Sequence, residues 1–160
     1  MHLFINASVT LATFFTMEAV TWCTHKYVMH GLMWFFHDDH HNPDKSFFEK
    51  NDAFFLIFAI PSFLLILFGA TAELDFRFFI GLGIMMYGFA YFCIHDVLIH
   101  QRFEWFKHTD NVYFRAIRKA HKIHHKHLGK EDGECFGMLY VPKKYFVEAK
   151  NYKAKKAKLA

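Results

Sequence analysis

The 160-residue sequence has only three cysteines and three prolines, and almost no charge over three long stretches. Cys23, Cys93 and Cys135 are widely spaced, which excludes a disulfide framework and argues against a thiolate metal site. They read as buried apolar residues. Charge is missing from Ala53 to Ala72 and from Phe78 to Ile94, and Leu3 to Cys23 contains Glu18 as its only charge. Each run is near the ~20 residues a helix needs to cross the ~30 Å hydrocarbon core. The third, at 17 residues, continues as a helical pattern toward His100. Pro61, inside the second run, would break a soluble helix but is tolerated where neighbouring helices satisfy the freed carbonyl. No Lys or Arg precedes the first run and no small-residue cleavage site follows it, so it reads as an anchor and not a removed signal peptide.

What is abundant points the same way. The chain is 54% apolar and contains 22 Phe, and three such runs leave too little polar sequence to cover them in a soluble bundle. The expected fold is an all-α integral membrane protein, a single domain over residues 1–160. It has about three to four transmembrane helices, with spans near 3–23, 53–72 and 78–94. Charge then orients them. Residues 1–101 hold 4 Lys or Arg against 9 Asp or Glu, and residues 102–160 hold 15 against 6, so the halves carry −5 and +9. The turn from Glu73 to Arg77 is net acidic, whereas Lys26, Lys45, Lys50 and the basic tail at 143–160 lie on the opposite side. The positive-inside rule places that side in the cytoplasm. The basic residues face a bilayer, and no nucleic-acid partner is expected.

Ten of the 13 histidines form two matching sets, His25, His30, His37, His40 and His41, then His95, His100, His121, His124 and His125. Each set reads H-x4-H followed by H-x2-H-H. His2, His108 and His127 stand outside the pattern. Imidazole binds divalent transition metals as a neutral ligand near pH 7, and ten such groups exceed what one zinc ion could use. Two metals is the natural count. With the topology above, all ten fall at the cytoplasmic membrane surface as a histidine-rich helical cap.

The H-x2-H-H boxes put three rings on one face of an α-helix, so each box can present several nitrogens to one metal. The H-x4-H pairs are harder to place. Positions i and i+5 are about 140° apart on a regular helix. Either the rings reach around, or the helix is locally distorted, or the two members bind different metals. Nearby acids, Asp38, Asp39, Asp44, Glu49, Asp52 and Asp96, could receive the second ring N–H of a ligating histidine. Asp96 is the leading candidate, with Asp39 and Asp52 behind it. Glu18, seven residues before His25 and inside a span, is a functional residue by default, or else a carboxyl bonded to a polar partner on a neighbouring helix.

An all-imidazole metal pair suits iron better than magnesium or calcium, and iron can activate dioxygen. Beside a bilayer it implies an apolar substrate arriving through the lipid, with hydroxylation or desaturation of an unactivated C–H bond as the reaction class. Two rivals explain less. A zinc metalloprotease would use His37 and His41 as in H-E-x-x-H, but Asp38 stands in place of the catalytic Glu. A metal transporter would place its site near the bilayer midplane and not beyond the span ends.

The pieces HKYVMHG (His25–Gly31), WFFHDDHHNPDKSFFEKND (Trp34–Asp52), YFCIHDVLIHQRF (Tyr91–Phe103), AHKIHHKH (Ala120–His127) and FGMLY (Phe136–Tyr140) carry a family resemblance. In them the chain resembles the bacterial and plant beta-carotene hydroxylases of the membrane fatty acid hydroxylase and sterol desaturase superfamily. The boxes alone specify the superfamily, and the flanking P-x-K-x-x-F-E-x-N-D and H-D-x-x-x-H-Q-R look like the carotenoid branch. The resemblance implies a bacterial inner-membrane, non-haem diiron monooxygenase with a ligand role for each of the ten histidines. It implies 3-hydroxylation of beta-ionone rings, from beta-carotene through beta-cryptoxanthin to zeaxanthin, with dioxygen as cosubstrate. It also implies that the electrons come from reduced ferredoxin and its reductase. A sterol or fatty-acyl hydroxylase or desaturase would use the same boxes on another lipid. The lysines of Lys143 to Lys158 are read as attraction to anionic headgroups, ahead of docking by an acidic ferredoxin.

Overall fold

The computed structural model describes residues 2–42, 46–103, 105, 108–131 and 133–159, apart from the side chains at 156, 157 and 159. Asp44 and Lys45 lie outside the described residues. The apolar runs fold as expected. Helix α1 covers His2–Cys23, α3 covers Phe54–Thr71 through Pro61, and α4 covers Phe76–Phe92. Short α2 (Trp34–His41), α5 (Val112–His124) and α6 (Lys143–Leu159) complete an architecture with no strand among the described residues. Two segments depart from α geometry. Thr24–Leu32 continues α1 as a π-helix, and Cys93–Ile99 continues α4 in the same way.

Local chemistry sets the boundaries. Asp75 begins α4 by accepting the Arg77 N–H at 3.0 Å, and Asn111 begins α5 by accepting the Phe114 N–H at 3.2 Å. Before α3, Glu49 and Asp52 form a reciprocal capping box around the 3-10 turn Lys50–Ala53. The α3–α4 turn closes with Glu73 and Leu74 in left-handed conformation, at φ 56° and 62°.

Three segments, His2–Leu32, Lys50–Thr71 and Phe76–Ile99, are long and apolar enough to cross a membrane. Their outward faces are apolar, with Phe15, Leu56, Phe68 and Met86 each more than 40% exposed. In water these faces would be a liability; in lipid they are the solvated surface. The chain is an integral membrane protein. Helix α4 lies between the other two spans, and small residues let the backbones approach. A Cβ at Gly81 would come within 2.8 Å of the Ser62 carbonyl on α3, and one at Gly83 within 2.7 Å of the Thr10 carbonyl on α1. The hydroxyls of Ser62 and Thr10 return hydrogen bonds to the carbonyls of Gly81 (2.8 Å) and Phe79 (3.2 Å).

The cysteine reading needs one correction. All three are free, but Cys23 is exposed and Cys93 and Cys135 are only partly buried; on a lipid-facing helix an apolar thiol has no need of burial. Beyond the spans, α5 and α6 pack together through Ala116, Ile117 and Ala120 against Tyr145 and Ala149. The basic tail is therefore a helix with one buried face, and Lys143, Lys150, Lys153, Lys155 and Lys158 are exposed.

Candidate metal centre

The π-helical segments resolve the H-x4-H spacing. Each histidine pair, His25 with His30 and His95 with His100, lies in or against one of them. The i→i+5 bonds are direct: His100 N–H donates to the His95 carbonyl at 2.9 Å, and Met33 N–H to Val28 at 2.7 Å. A wider turn rotates i and i+5 toward one face, which 3.6 residues per turn forbids. The first segment ends in a kink at Gly31 (φ −124°, ψ −109°), which turns the chain into α2. The second ends at Gln101, in left-handed conformation at φ 55°.

The ten rings converge in two adjoining groups. His25, His30, His37, His41 and His124 form the first, and His40, His95, His100 and His121 the second; within each, one nitrogen from every ring lies within 4.8 Å of the others. His125 sits where the groups meet, its Nε2 2.8 Å from Nε2 of His121 and its ring stacked on His41 at 4.4 Å. Each box divides between the two groups. In α2 the i, i+4 pair His37 and His41 turns to the first group while His40 turns to the second, and in α5 His124 crosses to the first. On a helix i+3 lies to the other side of i from i+4, so one box serves two centres.

Five of the rings share one orientation. The Nδ1 atoms point outward: His25 to the Phe136 carbonyl (3.0 Å), His30 to Leu128 (3.0 Å), His124 to Glu134 (2.9 Å), His37 to Asn51 Oδ1 (2.7 Å) and His40 to Glu49 Oε2 (2.8 Å). The Nε2 atoms meet inside, at 3.1 Å for His25–His37, His30–His124 and His40–His95, and 2.9 Å for His100–His121.

For His30 and His124 this fixes the proton. Carbonyls only accept, so each ring carries its single N–H on Nδ1, and the facing Nε2 atoms are two lone pairs 3.1 Å apart with no hydrogen between them. That contact is repulsive unless a cation lies between the rings. Two nitrogens bound to one ion at about 2.1 Å in neighbouring positions are about 3 Å apart. His41 adds a second sign, because both its ring nitrogens are buried without a hydrogen-bond partner. The donor set fits a pair of transition-metal ions.

Electrostatics favours the ligating form. Burial first, then repulsion from neighbouring imidazoles, pushes His41 down to about 3 and His125 to about 4. Burial likewise pulls His37 to about 3 against the Asn51 hydrogen bond, and depresses His40, His100, His121 and His124. All of these rings are neutral near pH 7, with a lone pair to give.

The acids sort differently from expectation. Asp96 does lie beside a histidine, 3.5 Å from Nδ1 of His95. Asp52 does not: it pairs with Arg102 at 2.9 Å and caps Glu49 N–H at 3.1 Å. Asp39 accepts the Lys50 N–H instead of a ring, because its position on α2 faces the 3-10 turn. Glu18 touches no histidine, since its carboxylate is taken by backbone N–H groups and Tyr87. Asp38, the residue in the metalloprotease position, accepts from Asn42. Glu49 and Asn51 are the partners that matter in this stretch, and both stand in the F-E-x-N-D piece. Arg102, from H-Q-R, gathers Glu49 (3.0 Å), Asp52 and Asp96 (3.5 Å) around one guanidinium.

A cavity of about 580 Å³ opens beneath the two groups, between α1, α3 and α4. His25 of the first group and His95 of the second line its polar end with Asn51 and Asp96; Phe58, Phe63, Ile66 and Ile84 line its depth. An apolar molecule entering from the lipid would meet both groups at one end.

A sequence profile described as fatty acid hydroxylase matches residues 10–142. A beta-carotene hydroxylase of Pantoea ananas is 40% identical over 86% of this chain and 78% of its own length. One from Pseudescherichia vulneris is 35% identical over 87% and 78%. A chloroplastic beta-carotene hydroxylase of Capsicum annuum is 36% identical over 74% of this chain and 38% of its own length. No solved structure matches. The chain belongs to the fatty acid hydroxylase family, and within it is similar to the beta-carotene hydroxylases.

Proposed function

We propose that the protein is a non-haem diiron monooxygenase that hydroxylates the beta-ionone rings of beta-carotene at the 3 and 3′ positions, giving beta-cryptoxanthin and then zeaxanthin. The observation that carries it is the juxtaposition of two groups of convergent imidazoles, nine rings in all, with an apolar cavity lined by one ring of each group. The names of the relatives supply the substrate.

His25, His30, His37, His41 and His124 would hold one iron, and His40, His95, His100 and His121 the other, with His125 shared at the junction. Bound there, iron would supply the activation of dioxygen needed at an unactivated C–H bond. In each cycle one oxygen atom enters that bond and the other leaves as water, which consumes two electrons and two protons. We assign the electrons to reduced ferredoxin. The protein's own part is positioning: outward Nδ1–H bonds hold His25, His30, His37, His40 and His124 in the tautomer that presents Nε2. Phe58, Phe63, Ile66 and Ile84 desolvate the polyene and aim one ring end at His25 and His95. The histidine side of the bilayer is the cytoplasmic side, by the excess of Lys and Arg there.

Coexpression with a beta-carotene pathway, followed by pigment chromatography, tests this. The expected products are beta-cryptoxanthin and zeaxanthin. Membrane-inserted, iron-loaded protein that leaves beta-carotene unchanged would overturn the assignment, and a newly hydroxylated acyl chain or sterol would redirect it within the family.

A further inference from the structure

Glu18 lies inside the first span, where an ionisable side chain is costly unless it is fully partnered. Its Oε1 accepts three consecutive backbone N–H groups, from Met138 (2.9 Å), Leu139 (2.8 Å) and Tyr140 (3.0 Å). Its Oε2 accepts the Tyr87 hydroxyl at 2.7 Å, and that oxygen lies 2.7 Å from the Thr21 hydroxyl, so α1, α4 and the 134–140 loop are tied at one point. Gly137 is what permits the approach, since a Cβ there would lie 2.6 Å from Oε1.

Just upstream, Cys135 is in left-handed conformation at φ 62°. The carbonyls on either side of it, Glu134 and Phe136, are the acceptors for Nδ1 of His124 (2.9 Å) and His25 (3.0 Å). Both rings belong to the first group. In the second group His40 bonds to Glu49 and His95 lies against Asp96, so neither of these rings takes its partner from this loop.

We infer that Glu18 is a positioning residue for the first metal group, acting through the 134–140 backbone to hold the two carbonyls that orient His25 and His124. The inference rests on the two-group reading above. The loop has further anchors, the Glu134 carboxylate bonded to Lys144 and Tyr145 and the Leu139 carbonyl, which accepts the Tyr113 hydroxyl at 2.8 Å, but Glu18 is the group that takes three consecutive backbone N–H groups directly after the Gly137 approach.

The test is cobalt(II) binding by the full chain, stripped of metal in detergent, with bound metal counted by elemental analysis and followed by its visible absorption. The unaltered chain is expected to take up two equivalents. Glu18→Ala is expected to bind one equivalent normally and the other about 10–100-fold more weakly, with half of the absorption lost. Glu18→Gln keeps an oxygen that can accept the same three N–H groups, and is expected to restore both. If Glu18→Ala fails to accumulate in the membrane, Gly137→Ala, which drives a methyl group against the carboxylate, is expected to give the same selective loss. Two tight equivalents in Glu18→Ala, loss of both equivalents together, or a Glu18→Gln chain no better than Glu18→Ala would overturn the inference. An unaltered chain that binds no cobalt would overturn the two-group reading and the clamp with it.

Discussion

In the first group the outward ring nitrogens lean on neutral acceptors, the carbonyls of Phe136, Leu128 and Glu134 and the Asn51 amide. In the second, His40 and His95 lean on carboxylates, Glu49 and Asp96, which share Arg102 with Asp52. The same backbone device, a π turn closing an H-x4-H pair, thus serves two different electrostatic settings. A carboxylate partner raises the basicity of the imidazole it holds, whereas a backbone carbonyl mainly fixes its direction. The two groups are built to be unequal, and the cavity reaches each through one ring, His25 and His95.

The largest effect is expected from His40, one of the two histidines, with His124, that cross between halves of the chain. His40→Ala removes the one ring that α2 gives to the second group, and turnover should fall by more than the roughly 100-fold upper range seen for outer partners. Metal analysis should then find the first group still filled. Glu49→Gln sharpens the contrast, with affinity at the second group falling about 10–100-fold and the first group unchanged. Asn51→Ala should reverse the pattern, toward the low end of that range, because only His37 loses its partner.

A smaller change should leave both groups alone. Gly88 lines the cavity and has no atom within 4 Å of an added Cβ, so Gly88→Leu fills substrate space without a backbone clash. Conversion of beta-carotene should drop roughly 10-fold with metal content intact. The gentlest probe is pH on the metal-free chain. His37 and His41, at about 3, and His125, at about 4, titrate below their ordinary value of 6.5, so the unfolded chain binds protons that the folded one refuses. Stability is full above pH 6.5 and declines as pH falls toward 4 and 3. The melting temperature of metal-free protein should therefore be lower at pH 5 than at pH 7, and a flat or opposite profile would count against buried neutral rings.

The membrane spans were legible in the sequence because lack of charge over about 20 residues is a physical requirement of the bilayer and needs no tertiary information. The ten histidines were legible for a similar reason, through their recurrence. The π turns were not, because H-x4-H is equally compatible with a distorted helix and with two metals; only the i→i+5 bonds at His95 and His100 separate these. The division of each box between groups also escaped, since it depends on how α2 and α5 are rotated against one another. Acceptors such as the carbonyls of Leu128, Glu134 and Phe136 leave no side-chain signature at all. Glu18 was flagged by its depth in the span, and Tyr87 on α4 is the polar partner on a neighbouring helix that its second reading expected; the backbone N–H groups that take its other oxygen lie some 120 residues away and left no signal.

Counting iron in the purified protein asks whether one chain holds two metals in unequal histidine groups. Two irons per chain are expected. A single iron per chain, or zinc alone with no iron retained, would contradict that.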